Sequence, residues 1–483
     1  MVLLKSLAVT LAVAPSLSFA WFRLPCNNVL IHERADPIIS PGQIGAHTHT
    51  VSGGSNFNLN STFDDMRESQ CSSCIAKADM SAYWTPQLYF EWANGSFSSV
   101  EQVGGGLIYY LYRTNPEDKH PLQAFPAGLK IVAGSPFRRT YNESNLVDQA
   151  IGWNCLGATS PTRVPELPDR NCPDGLRGEI RFPSCWDGKT LYKSDQSHMA
   201  YSDGESGPCP DSHPYRIVTL FFEMMYSVTP FEDVWDQAMR PESPFVLAQG
   251  DATGYGWHGD FLNGWDVDIL QRAVDECLDD SGVIEKCDLL ELYDHSDSAD
   301  GPCYKTPDVN EVVMGTLDSL PGCNNVTTTE AEAKALTCPN LVTPELLGPS
   351  VAYNSAFPPP GAPVLSGAPT MVTSYGSYTY QGCYEDVNQG RVFDKQLTNT
   401  GNVEGCLDQA EKASYTYVGI EYGGECWVGN TMAYSIELSY GRCNMVCNKQ
   451  SDEICGGSGG AMSLYKLGRS TKSRTKRHFT STH

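Results

Sequence analysis

Gly106-Leu107-Ile108-Tyr109-Tyr110-Leu111-Tyr112, Gly128-Leu129-Lys130-Ile131-Val132 and Arg216-Ile217-Val218-Thr219-Leu220-Phe221-Phe222 are short apolar runs rich in β-branched and aromatic residues. Each sits between glycine- and proline-bearing turn signals, so each reads as a strand. The surrounding region, from Trp21 to about Asp294, has the same texture throughout. Many short strands with few helices predict a mainly β main domain, a disulfide-braced β-sandwich of jelly-roll type. Two helices stand out. Asp266 is placed to cap a segment in which Ile269, Leu270, Ala273, Val274 and Cys277 recur at helical spacing, and a short helix is expected from Glu330 to Leu336.

The chain has 483 residues, room for two or three domains. Its first twenty residues carry Lys5, an apolar run from Leu7 to Val13 and a small-x-small site at Ser18-Phe19-Ala20. This is the pattern of a secretory signal peptide at 1–20, with a mature chain from Trp21. Neither that run nor any later one reaches the roughly 20 apolar residues of a membrane helix. Eighteen cysteines, an even number, suit an oxidising exterior. Four N-x-S/T sequons, at Asn60, Asn94, Asn142 and Asn325, fit a secreted glycoprotein. The expected location is extracellular or wall-associated. A net charge of −24, from 33 basic and 57 acidic residues, excludes nucleic acid and anionic membranes as partners. Polysaccharide or a cation remains compatible, and a monomer is expected.

Residues 348–377 are rich in Pro, Ala, Gly and Ser and include Pro358-Pro359-Pro360. Such a segment buries no core and reads as a linker. Twelve cysteines precede it and six follow, so each side can close its own disulfides. The main domain is therefore expected over 21–347, with a core at 21–278 and a cysteine-rich extension at 279–347. A small cysteine-rich α+β domain follows at 378–467, then a basic tail at 468–483.

The C-terminal domain carries Gly382-Cys383-Tyr384, Arg391, Cys406, Glu421-Tyr422-Gly423-Gly424-Glu425-Cys426-Trp427, Gly429-Asn430, Cys443, Cys447, Cys455-Gly456-Gly457 and Leu464-Tyr465. It resembles the WSC family, which implies a small disulfide-braced module that binds fungal-wall or plant polysaccharide. The family pattern has two further cysteines, at positions occupied here by Ala410 and Val428. Their joint loss implies that one whole bridge is absent and that these two side chains touch. Sugar binding needs aromatic faces and planar polar groups, and Glu421, Tyr422, Glu425, Trp427 and Asn430 supply both within ten residues.

In the main domain, His47 and His49 stand two apart in Gly45-Ala46-His47-Thr48-His49, so a strand would present both imidazoles on one face. His198 and His213 lie in S-H-M and S-H-P, and His258 in a glycine-rich run from Gly254 to Asp266. With Asp79-Met80-Ser81-Ala82-Tyr83-Trp84-Thr85-Pro86, Ala124 to Gly128, Phe182 to Gly188 and Gly250 to Trp265, these motifs resemble a large family of secreted fungal proteins of unknown function often paired with WSC modules. That resemblance implies membership and no mechanism.

Three function classes follow from the residues. A glycoside hydrolase needs two carboxyls about 5–10 Å apart, for which Asp79, Asp187, Glu223, Asp251, Asp260 and Asp266 are candidates; a lyase would draw on His49, Tyr83, His213 and Arg216. A metal-dependent enzyme would use His47 and His49 with His213 or His258 and Asp260 as ligands to a divalent ion, His47, His49 and His258 being the set expected first. A histidine brace would need an N-terminal His, whereas the expected terminus is Trp21. A non-catalytic lectin-like wall protein would use Tyr83, Trp84, Tyr89, Phe90, Trp186, Trp257 and Trp265 as a platform. If the domain is catalytic, His47, His49, Asp79, His213, His258 and Asp260 are expected around one cleft, with His258 folded against His47 and His49.

Overall fold

The structure is a computed structural model and describes residues 21–159, 163–295, 301–339, 341–346, 352–354, 371–386, 391–432, 435, 437–438, 443, 445–457 and 459–468. The expected signal peptide, the basic tail beyond 468 and most of the linker lie outside the described residues.

The protein is mainly β. In the first of two facing sheets, seven strands run in the order Arg163–Val164, Ile151–Cys155, Leu176–Arg181, Thr219–Ser227, Gly106–Leu111, Trp21–Cys26 and Gly282–Val283. An eighth, Glu101–Gln102, pairs with Thr219–Ser227. All neighbours are antiparallel except Trp21–Cys26 with Gly282–Val283. The second sheet runs Ile31–Ala35, Ile44–Gly53, Ala82–Pro86, His258–Leu262 and Lys130–Gly134. Phe22, Leu24, Ile108, Tyr110, Leu220 and Phe222 of the first sheet share one buried cluster with Tyr83, Phe261, Ile131 and Ala133 of the second. Tyr83 meets Phe222 edge-on at 5.7 Å. This is the sandwich that the strand pattern predicted.

The two sheets differ in what covers their outer faces. Thr219–Ser227 alternates, burying Leu220, Phe222, Met224 and Tyr226 while the residues between are partly exposed, as expected of a sheet with one wet face. In contrast, all five residues of Ala82–Pro86 and of His258–Leu262 are buried. The reason is a second apolar layer, in which Leu30, Ile38, Phe57, Leu59 and Met66 cover Val51, Trp84 and Leu262. The Cys71–Cys303 bridge ties the C-terminal extension onto this layer. The second sheet is thus a middle layer with two dry faces, and its outer face is where the candidate site forms.

Asp266 accepts a hydrogen bond from the Ile269 amide and caps a helix at Val267–Glu276, which buries Leu270, Ala273 and Val274. Glu330–Ala335 is helical behind a Thr329/Glu332 capping box. Two strand boundaries differ from the sequence reading. The Gly128 run starts its strand at Lys130, because Gly128 sits in a left-handed turn (φ +80°). The Arg216 run divides: Tyr215–Arg216 belongs to a small three-stranded sheet and pairing with the large sheet begins at Thr219. The buried Arg216 guanidinium is held there by Asp118 and the Gly207 carbonyl.

All eighteen cysteines are paired. No bridge joins a cysteine before residue 348 to one after it. The C-terminal region folds as a seven-stranded sheet, with Tyr378–Glu385, Ala461–Leu467, Tyr417–Glu421 and Glu425–Gly429 as its longest adjacent members. Helix Val403–Lys412 packs on it, and Cys406–Cys426 ties helix to sheet. Ala410 is one helical turn beyond Cys406, and Val428 is two residues beyond Cys426 on the same strand face. Both are fully buried in the same apolar cluster, so they lie alongside the existing bridge.

Among the described residues, no helix is long and apolar enough to cross a membrane.

Candidate functional site

His49 pairs across the sheet with Pro86 of the adjacent strand, and Trp84 of that strand pairs with Asp260. Counting two residues along places His258 opposite the other edge of Pro86. His49 and His258 therefore stand two strand spacings apart, roughly 9–10 Å between backbones, a gap that two imidazoles leaning over Pro86 can close. They do close it. The ring centroids of His47, His49 and His258 lie 4.3, 5.0 and 6.0 Å apart, each pair inclined edge to face. One nitrogen from each ring falls within 4.8 Å of the other two, and His47 Nε2 is 3.0 Å from His258 Nε2. Gly134, opposite His258, allows this packing: at its φ of +81° a Cβ would meet the Trp257 carbonyl oxygen at 2.4 Å.

The surroundings set the chemistry of the three rings. His49 Nδ1 is 3.0 Å from the Ala35 carbonyl oxygen and His258 Nδ1 is 2.8 Å from that of Gly256. Arg34, ion-paired with Glu311, donates to the Gly45 carbonyl, and Asn324 donates to that of Ala46, so the extension roofs the start of the histidine strand. The rings are only 6%, 1% and 3% exposed. Burial pushes the pKa of His49 and of His258 down to about 4. His47 is likewise pushed well below the usual imidazole value, by burial first and then by His49, His258 and Arg34. At neutral pH all three imidazoles are neutral and keep a lone pair.

Asp260 shares the outer face with His258, and Asp36 lies close enough to act on both. Burial raises both carboxyls, and Asp36 further raises Asp260. Two backbone amides, from Ile38 and Ile39, bind Asp36 Oδ1 and partly offset its burial, while Asp260 Oδ2 is buried without a hydrogen-bond partner. The sequence analysis missed Asp36: an Asp before Pro37 reads as a turn former, and only the fold brings it to the histidines.

The six residues expected around one cleft do not all meet. His47, His49 and His258 do, and Asp260 lies two residues from His258 on the same face of its strand. Asp79 belongs to the opposite face, where its carboxylate accepts from Tyr83, Tyr83 meets Tyr110, and Trp265 Nε1 donates to Tyr110 at 2.7 Å. It is fully buried there because this network lies inside the sandwich core. His213 sits on an exposed loop beside Ser212 and the Ser197 carbonyl, so the lyase set of His49, Tyr83, His213 and Arg216 is dispersed. His198 bonds the Lys130 carbonyl.

The remaining hydrolase candidates also have structural partners. Asp251 binds the Thr253, Gly254 and Gly256 amides beside Arg139. Asp187 closes a turn at Lys189 and Thr190, Glu223 accepts from Tyr109, and Asp266 caps its helix. The aromatic platform is corrected to core: Tyr83, Trp84, Tyr89, Phe90, Trp257 and Trp265 are at most 1% exposed, and Trp186 is partly buried against the same core.

In the C-terminal domain, Glu421 pairs with Glu425 across a three-residue hairpin tip. Tyr422 occupies its first position with a left-handed φ of 49°, followed by Gly423 at 74°. It is 38% exposed, and its hydroxyl accepts from the Gly460 amide at 3.1 Å. Beside it, Arg391 binds the fully buried Asp386 and Glu421 at 2.7 and 2.6 Å. The guanidinium lies 3.7 Å from the Trp427 ring centroid, and Trp427 Nε1 donates to Glu425. One face of Trp427 is therefore covered by Arg391, while Glu421 lies beneath the surface, its pKa raised to about 8 by burial and the neighbouring Asp386. Asn430 is exposed but its Oδ1 accepts from Thr416. The accessible groups are Tyr422, Glu425, the Arg391 guanidinium and the indole edge. The sequons at Asn60, Asn94, Asn142 and Asn325 all have an exposed asparagine.

Comparison with known proteins supports this division. Residues 36–265 match the model of the domain of unknown function DUF1996, and residues 380–457 match that of the WSC domain. A WSC domain-containing protein of Arthroderma benhamiae is 31% identical over 116 residues, 23% of this chain and 12% of that protein. Xylosyltransferase sqv-6 of Caenorhabditis briggsae is 35% identical over 80 residues, 16% of this chain and 10% of the relative. A putative fungistatic metabolite of Chaetomium globosum is 26% identical over 145 residues, 24% of this chain and 64% of the relative. The chain thus spans about an eighth of the length of the first of these relatives and less than two thirds of the others. The WSC domain points to carbohydrate binding, and with the many disulfides it fits an extracellular protein. The chain carries an N-terminal DUF1996 domain and a C-terminal WSC domain.

Proposed function

We propose that the protein is secreted and binds fungal-wall or plant polysaccharide through its WSC domain. The DUF1996 domain is held at that surface, with His47, His49, His258 and Asp260 as its functional centre. The observation that carries the glycan reading is Tyr422. A tyrosine in the left-handed region costs about 1–2 kcal/mol, and this one projects from a hairpin tip with over a third of its surface open. Strain held at an exposed aromatic beside Arg391 and Glu425 suits a contact surface for a sugar ring and its hydroxyls.

For the DUF1996 domain, the geometry favours a metal-dependent role over hydrolysis or a lectin platform. Its histidines converge, whereas Asp187, Asp251 and Asp266 serve turns, an ion pair and a helix cap, Asp79 and Glu223 accept from tyrosines, and the aromatics form core.

The test is retention of the full chain on insoluble β-glucan, chitin, cellulose and xylan, with soluble products assayed with and without chelator. Retention on at least one polymer is expected, weakened at least tenfold by Tyr422→Ala. Product release abolished by chelator would establish metal-dependent chemistry. Failure to bind any of the polymers overturns the glycan reading.

A further inference from the structure

We infer that His47, His49 and His258 form a site for one divalent transition-metal ion of the zinc or copper type. This builds on the centre assigned above but not on glycan binding.

A carbonyl oxygen only accepts, so the contacts of His49 Nδ1 with Ala35 and of His258 Nδ1 with Gly256 fix the proton of each ring on Nδ1. Both Nε2 atoms are left with bare lone pairs. A second-sphere carbonyl that sets the tautomer and aims the ring is the usual companion of a metal-ligating histidine. His49 Nε2 is buried and has no hydrogen-bond partner, an unfavourable state for a polar atom in a protein interior. An ion among the three rings satisfies it.

The spacing fits as well. Two nitrogens at 2.0–2.1 Å from a tetrahedral zinc lie roughly 3.3 Å apart, and His47 Nε2 and His258 Nε2 are 3.0 Å apart. His49 completes the set, its ligand nitrogen within 4.8 Å of the other two. Without an ion, the bare His258 Nε2 requires His47 Nε2 to carry a proton and donate it. On binding, that proton moves to His47 Nδ1, so a neutral ring ligates and no net proton is released. Every cysteine is in a disulfide, so the site offers imidazole without thiolate, a donor set that suits zinc and copper. The buried Asp36 carboxyl acts electrostatically on His258 and is the acidic group placed to face the dication.

The experiment uses the full secreted chain, stripped with chelator and titrated separately with zinc, copper(II) and cobalt(II). One zinc per chain is expected by calorimetry, and cobalt(II) should give ligand-field absorption of a nitrogen-rich site of low coordination number. His49→Ala and His258→Ala should each weaken binding at least 100-fold, whereas His213→Ala, on an exposed loop, should retain it. If an alanine variant fails to fold, the wild-type cobalt complex decides. It should show slowly exchanging, hyperfine-shifted N–H resonances from the Nδ1 protons of His49 and His258. No stoichiometric binding, unchanged binding in the folded His49→Ala and His258→Ala variants, or a cobalt complex without shifted imidazole protons would each overturn the assignment. Glycan retention is read separately, so failure of one does not imitate failure of the other.

Discussion

Replacing Tyr422 by glycine and, separately, by alanine separates strain from contact at the WSC hairpin tip. Both variants lose the ring and the hydroxyl that accepts from the Gly460 amide, a bond worth about 0.5–1.5 kcal/mol. Only glycine also relieves the left-handed backbone at φ 49°, which costs an L-residue about 1–2 kcal/mol. Against that gain, glycine loses roughly 0.5–1 kcal/mol more chain entropy on folding than alanine does. The balance leaves Tyr422→Gly about 1 kcal/mol more stable than Tyr422→Ala, the reverse of the order at an ordinary strand position. Hydrogen exchange of the amides in 417–429, measured in the full chain, reads this locally. Polysaccharide retention, measured in parallel, should fall in both variants. Such a result would show a tyrosine kept at a strained position for contact. If alanine protects the hairpin as well as glycine does, or if glycine retains full glycan binding, the argument from strain to function fails.

Two further outcomes follow from buried positions. Ala410→Cys with Val428→Cys should oxidise spontaneously to a tenth bridge beside Cys406–Cys426. The new loop, closed through the existing bridge, is only about six residues, so the chain-entropy gain is about 2 kcal/mol; two free thiols by mass spectrometry of the folded chain would refute the contact. At Asp79, burial lifts the carboxyl to about 6. A folded pKa above the unfolded one favours the protonated form, so its contribution is present at low pH and lost as pH rises from about 4 through 6. Asp79→Asn removes this dependence and should gain up to about 3 kcal/mol on wild type across that window, measured by urea unfolding at pH 4 and pH 7. A constant difference between the two pH values would contradict the assignment.

Much of the fold could be read from period and punctuation. Thr219–Ser227 alternates because one face of its sheet is wet, and Asp266 announces its helix as an N-cap. The second apolar layer left no such signal. A sheet buried on both faces loses its alternation, so the sequence could not say which aromatics were core or that Trp84 and Trp257 were fully enclosed. The meeting of His47, His49 and His258 was legible as two imidazoles one strand period apart and a third in a glycine-rich run. Asp79 was misplaced because neighbouring strand residues point to opposite faces: Tyr83 points into the sandwich and draws Asp79 after it, while Trp84 and Asp260 point outward. Asp36 and Arg391 became site residues only through interactions distant in sequence, Asp36 acting electrostatically on His258 and Arg391 ion-paired with Glu421.

X-ray absorption at the edge of the metal bound to the full chain tests the central claim most directly, because it counts the ligands. The account predicts three imidazole nitrogens at about 2.0–2.1 Å, with the multiple scattering of the rings, and loss of that signal in His49→Ala. A first shell of oxygens without ring scattering, or the same spectrum in the folded variant, would contradict it.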